Sequence, residues 1–231
     1  VPLTPAHPAV VLPVQRLGLP LSALVAGAVA PDTPVYLPVG VGYATTHSGA
    51  GLLVDTVIGL VLLGLWFALL RDAVVDLVPF VRDRAPAHGR LRLRGWLLAP
   101  LAVALGAATH VLWDSATHDW GFLVEQHAFL RDDYGPLPLH RWLQHTSTVV
   151  GGAVVAVYCI VRSRRQPVLP RPAVVRRPGV WLGAVLAVAL LVGVVSQDPE
   201  LAAGAGLGAL VVVSAGWHIA LTRHQANMTL G

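Results

Sequence analysis

The residues best placed to do chemistry lie in Thr109-His110-Val111-Leu112-Trp113-Asp114-Ser115-Ala116-Thr117-His118-Asp119. On a helix, His110, Asp114 and His118 fall at i, i+4 and i+8 and share one face. An imidazole, a carboxylate and a second imidazole at that spacing can converge on one or two cations. Zinc accepts His nitrogen and carboxylate oxygen, with four ligands in structural sites and three plus a water in catalytic ones. One helix rarely supplies all of them. The other candidates are Asp32 in Ala30-Pro31-Asp32, His47 in Thr46-His47-Ser48, and His7 in Thr4-Pro5-Ala6-His7-Pro8. Asp55 and His145 are further polar residues in otherwise apolar stretches.

The elements that must position these groups are membrane helices. Of 231 residues, 55% are hydrophobic and only 12% charged, about half the charge fraction of a soluble globular chain. Mean hydropathy is +0.66. Five stretches approach or reach the length needed to cross about 30 Å of hydrocarbon: Gly49–Leu70, Trp96–Thr117, Trp142–Val161, Pro178–Val195 and Leu201–Leu221. Asp55 and Asp114 are the only Asp, Glu, Lys or Arg inside them. A sixth stretch, Leu17–Ala30, is too short for a full span and reads as a re-entrant or interfacial segment. The expected fold is an all-α polytopic bundle in a single integral membrane domain. Residues 1–152 would carry the metal site, and 178–221 would add two packing spans.

All sixteen basic residues are Arg, and the net charge is only +4. Their scatter over short loops argues against a nucleic-acid partner despite a pI near 10.0. A single Cys leaves no disulfide framework and no Cys-based zinc motif. Arg clusters at 71–94 and at 162–177 mark those loops as cytoplasmic. That orientation gathers Asp32, His47, Asp55, His110, Asp114, His118 and His145 towards the outer face. His7 joins them if Leu17–Ala30 dips in and returns.

Each residue also has a plainer reading. A lone intramembrane His is more often a hydrogen-bonded packing residue than a ligand, and a buried carboxylate such as Asp55 can be held by hydroxyls or Arg. The stripe could be a capping cluster, although three such groups on one apolar helix face are costly without a cation. His88, His127 and His140 read as solvated loop residues, and His218 and His224 as interfacial anchors beside Trp217 and Arg223. Gly151-Gly152 reads as a close helix contact.

Thr4-Pro5-Ala6-His7-Pro8, Ala30-Pro31-Asp32, Thr46-His47-Ser48 and His110-x3-Asp114-x3-His118, in that order, resemble a bacterial integral-membrane family known as a domain of unknown function. That family is similar to membrane-bound metal-dependent hydrolases of the YdjM type and, more distantly, to zinc-dependent phospholipase C. The resemblance covers roughly residues 1–152. It implies His7, Asp32, His47, His110, Asp114 and His118 as metal ligands. The soluble fold's later His-x3-Glu pair is lacking, because Val149 follows His145 at that spacing; fewer ligands favour one or two ions, zinc or another divalent metal.

The expected function is a multi-pass enzyme of the bacterial cytoplasmic membrane that hydrolyses a lipid-like ester or phosphoester at the outer face. Its substrate would be a phospholipid or polyprenyl-phosphate-like amphiphile drawn from the bilayer. Asp55 would orient a ligand imidazole or act as general base, and His145 would be a ligand or a proton donor to the leaving group. Three rival classes remain: an ion, proton or metal transporter, whose polar path should continue through the inner halves of the spans, a haem or di-iron redox protein, and a non-catalytic membrane scaffold.

Overall fold

The computed structural model describes residues 4–86 and 88–229. The secondary structure is helical apart from a two-residue hairpin, β1 (Asp133–Tyr134) and β2 (Leu137–Pro138). The principal helices are α1 (Leu21–Val29), α2 (Leu52–Leu65), α3 (Arg71–Leu77), α4 (Leu93–Thr117), α5 (Leu139–Arg164), α6 (Pro178–Ser196) and α7 (Pro199–Thr229). Among the described residues, five helical stretches are long and apolar enough to cross a membrane: Leu52–Leu77, Leu93–Gln126, Leu139–Arg164, Pro178–Ser196 and Pro199–Arg223. The protein is therefore an all-α polytopic bundle. The first span runs seven residues past the expected Leu70, because a π-helical segment, Trp66–Leu70, joins α2 to α3 without a break.

The chain divides into two compact units. The first comprises Val1–Leu63 and Leu91–Ile160. Here the short segment expected from Leu17–Ala30 is a nine-residue helix, α1, whose Ala23, Leu24, Ala26, Gly27 and Ala28 are buried. At 1.5 Å per residue it is too short to span. α1 packs on α4, and both helices bury small residues: Ala23, Ala26 and Ala28 on one, Ala99, Ala102 and Ala107 on the other. The approach is closest at two glycines. A Cβ on Gly27 would overlap the Val103 carbonyl, and one on Gly106 would overlap the Leu24 carbonyl. Lipid gives apolar helices little reason to associate, so backbone proximity through small residues supplies the dispersion contact.

Side-chain bonds fix α5 in this unit, among them Trp113 Nε1 donating to Ser147 Oγ at 3.2 Å and Tyr158 Oη donating to Gln15 Oε1 at 3.0 Å. Gly151 faces the N-terminal segment, where an added Cβ would stand 2.9 Å from the Ala6 carbonyl oxygen; Gly152 faces open space. Only the first of the two glycines is a close contact.

The second unit comprises Gly64–Arg90 and Val161–Gly231. Its core gathers Ala73, Leu77, Val175, Val213 and Trp217. The buried Asp76 carboxylate accepts from Trp217 Nε1 at 2.8 Å and from the Val174 amide at 3.0 Å, so it ties α3 and α7 to the Arg-rich connection. His218, expected as an interfacial anchor, instead donates Nε2–H to the Leu69 carbonyl at 3.0 Å, within the π-helical segment. The His224 side chain lies outside the described residues. Between α6 and α7, Asp198 Oδ1 accepts from the Glu200 and Leu201 amides at 2.8 and 3.1 Å, an N-cap for α7.

Candidate metal centre

The centre forms in the first unit where two chain segments meet the last two turns of α4. α4 presents His110 and Asp114 one turn apart. The turn Ala30–Asp32, following α1, brings Asp32, and the turn Tyr43–Thr46 ends at His47. Thr46, fully buried, donates to the Pro31 carbonyl at 2.7 Å and locks these two turns together. Contact between α1 and α4 places the Ala28 carbonyl 2.7 Å from His110 Nδ1. That nitrogen must donate, since a carbonyl only accepts, so the lone pair of His110 lies on Nε2. The same reasoning applies to His47, whose Nδ1 lies 3.1 Å from the Tyr43 carbonyl.

The two Nε2 atoms point at each other, 3.3 Å apart. Asp32 Oδ1 lies 3.5 Å from each of them, and Asp114 Oδ2 lies 3.4 Å from each. Four ligands at about 2.05 Å from a tetrahedral ion would stand roughly 3.3–3.4 Å apart. The observed edges match. With both Nδ1 atoms committed as donors, four acceptor atoms face one centre, an arrangement that needs a cation or shared protons. Asp32, His47, His110 and Asp114 thus form a group that could hold a metal ion.

Electrostatics of the flanking groups follow from the same geometry. Burial alone would raise Asp32, but the imidazoles of His110 and His47 that face it and the Thr4 hydroxyl outweigh it and hold the carboxyl far below its usual range. Thr4 Oγ1 donates to Asp32 Oδ2 at 2.6 Å, which leaves Oδ1 for the centre. For His47 burial works downward, yet Asp114 and Asp32 dominate and raise it. His7 is pushed down to about 4, first by burial and then by repulsion from His110, so it is neutral near pH 7. Its ring stacks on His110 with centroids 3.8 Å apart. His7 Nε2 lies 3.5 Å from Asp114 Oδ1, and neither atom has a hydrogen-bond partner among the described residues.

Among the remaining sequence candidates, His118 is buried beside the group but faces elsewhere. Gln144 Nε2 lies 3.1 Å from its Nε2, and its Nδ1 lies 3.3 Å from the Asp114 backbone oxygen. Arg141 Nη1 donates to Gln144 Oε1 at 2.9 Å, which fixes the amide's orientation. Both His118 nitrogens are thereby engaged, and Nδ1 is held 3.7 Å from Asp114 Oδ2. Asp55 is fully buried, with both carboxylate oxygens unpartnered among the described residues. His145 is exposed on α5 and is not brought to the centre. His140, expected to be solvated, is buried, and its Nδ1–H donates to the Leu130 carbonyl at 2.9 Å. His88 and His127 are exposed, as expected.

Sequence reasoning missed Gln144 and the aromatic cover. Tyr43 stacks on His47 at 3.8 Å, and Trp120 stands edge-on to His47 and parallel to His118. The signal for Gln144 was its neighbour: a polar pair Gln144-His145 on an apolar helix, of which only one can face inward. Gln144→Leu should leave metal affinity unchanged, because the residue it holds, His118, is not among the four ligand atoms. Competition with a chelating dye would measure it, with helicity unchanged. Two cavities adjoin the centre: one of about 380 Å³ bordered by His7 and one of about 470 Å³ bordered by His47, Ser48, Trp120 and Glu125.

Fold and site together define a polytopic α-helical membrane protein with a buried His2Asp2 cluster formed by residues from three segments. The chain belongs to the family described as Domain of unknown function (DUF4184), which matches residues 1–228. Comparison with curated proteins and with solved structures finds no match.

Proposed function

We propose that the protein is a zinc-dependent hydrolase that cleaves an ester or phosphoester of an amphipathic lipid. One observation carries this reading. Beyond the four atoms that complete a tetrahedron, His7 Nε2, Asp114 Oδ1 and both Asp55 oxygens are buried without partners. A purely structural ion needs none of them, and leaving such groups unpaired costs about 1–3 kcal/mol each. His7 Nε2 and Asp114 Oδ1 lie at the ligand set itself, and unpaired polar groups there are what a reacting substrate and water would use.

With one carboxylate giving way to water, as a three-ligand catalytic site requires, a bound zinc ion would lower the pKa of that water towards about 7 and polarise the ester oxygen. Asp32, His47, His110 and Asp114 would hold that ion. His7, neutral near pH 7 and 3.5 Å from Asp114 Oδ1, would accept or return a proton. Asp55 would act as the base or orient a ligand imidazole. The group lies at the C-terminal end of α4 and before the N-terminal end of α2, whereas the Arg-rich stretches 71–94 and 162–177 lie at the C-terminal ends of the first and third spans and the N-terminal end of α4. By Arg distribution the Arg-rich loops are cytoplasmic and the site faces outward, at the level of lipid headgroups in a bacterial cytoplasmic membrane. The likeness to membrane-bound metal-dependent hydrolases supports the same reading.

The test is hydrolysis of bis-p-nitrophenyl phosphate and of a p-nitrophenyl acyl ester by zinc-loaded protein in nanodiscs. Asp55→Asn should reduce kcat about 10²–10⁴-fold, the range of a lost general acid–base, with zinc content unchanged. Zinc-loaded protein that turns over neither substrate, nor any phospholipid or polyprenyl phosphate, would overturn the reading.

A further inference from the structure

The cavity of about 380 Å³ bordered by His7 has a lining that is otherwise largely apolar: Val10 from the N-terminal segment, Trp113 from α4, and Leu143, Val150 and Val154 from α5. Its size lies within the roughly 300–1,000 Å³ of small-molecule sites. The Ser147 hydroxyl in its wall is already used, accepting from Trp113 Nε1 and donating to the Gln144 carbonyl. At one end stands His7, whose unpartnered Nε2 is 3.5 Å from a carboxylate of the metal group. At the rim, Val150 and Val154 are 54% and 43% exposed on a helix long and apolar enough to span the membrane, so the rim meets hydrocarbon rather than water. An added Cβ on Gly151 would press on Ala6, so this glycine allows the N-terminal segment and α5 to meet along the cavity edge.

We propose that this cavity is a hydrocarbon slot that admits one acyl or isoprenoid chain of the substrate sideways from the bilayer, with the chain's polar end delivered to His7. The proposal rests on the reading of the site as a lipid hydrolase and adds where the chain lies and how it enters. Bilayer hydrocarbon is the medium that bathes Val150 and Val154, and a chain moving from it into an apolar slot crosses no water and buries no polar group. A headgroup attached to that chain meets the metal group without leaving the interface.

The test uses n-decyl phosphate and n-butyl phosphate, titrated by calorimetry into zinc-loaded protein held in amphipol. Wild-type protein should bind decyl phosphate at one saturable site, at least tenfold tighter than V150W/V154W, in which two indoles occupy the rim. Butyl phosphate should bind both alike. Both positions are exposed, so the fold tolerates the change; Val154→Ser, which makes the rim polar, should weaken decyl phosphate in the same direction. Equal binding of decyl phosphate to wild type and both variants overturns the slot. Stripping zinc separates the two readings. A decyl preference that survives stripping while butyl phosphate binding disappears supports both. If stripping leaves butyl phosphate binding unchanged, the phosphate is not read by the metal group; the metal-dependent reading then fails and the slot stands.

Discussion

Asp114→Ala should strip the protein of its metal. Asp114 supplies one tetrahedral edge to each imidazole through Oδ2, at 3.4 Å, while Oδ1 faces His7 at 3.5 Å. Its removal therefore takes a ligand from the centre and leaves His47 and His110 facing each other at 3.3 Å with one carboxylate fewer between them. Elemental analysis of wild-type protein, purified without chelator, should find about one zinc per chain, or two if His7 and Asp114 Oδ1 hold another. Asp114→Ala and His110→Ala should each lower affinity more than about 100-fold, since even groups that merely orient a ligand account for about 10–100-fold. His145→Ala, on the exposed side of α5, should keep its metal. A folded wild-type preparation with no transition metal, and no uptake on dialysis against zinc, would show that shared protons hold the cluster instead.

These expectations mark what the sequence carried and where it stopped. His110 and Asp114 were legible because helical periodicity alone puts i and i+4 on one face. Apart from the family resemblance, Asp32 and His47 were legible only through the expectation that both lie towards one membrane face; nothing local to either says that Thr46 bridges to Pro31. The i+8 member, His118, obeys the same periodicity, yet Gln144 from α5 turns its Nε2 away from the centre. On α5 the apolar pattern does not fix the rotation to within one residue. Trp113 to Ser147 and Tyr158 to Gln15 set it so that Gln144 faces inward and His145 outward. Five spans followed from length and hydropathy. The continuation of the first to Leu77 depends on a π-helical segment, whose Leu69 carbonyl accepts from His218, some 150 residues away in the chain and beyond any local signal.

The second large effect should come from a methyl group placed on a residue that is not itself a ligand. Gly106→Ala puts a Cβ onto the Leu24 carbonyl, 2.8 Å from the Ala28 amide and 3.0 Å from the Gly27 Cα. Those neighbours are backbone, so they yield only if α1 moves as a body. Overpacking of this kind costs about 1–3 kcal/mol, and the displacement carries the Ala28 carbonyl away from His110 Nδ1, 2.7 Å distant. Without that acceptor the imidazole loses what fixes its tautomer and ring orientation, and metal affinity should fall about 10–100-fold. Gly152→Ala is the control: it sits in α5 with nothing within 4 Å of an added Cβ, so it should be neutral or stabilise by up to about 1 kcal/mol. Thermal unfolding with and without zinc would read both effects. If Gly106→Ala lowered the midpoint but kept full affinity, α1 would be packing for the bundle alone. A matched loss of stability and metal would establish that the helix too short to span holds the His110 ring in register.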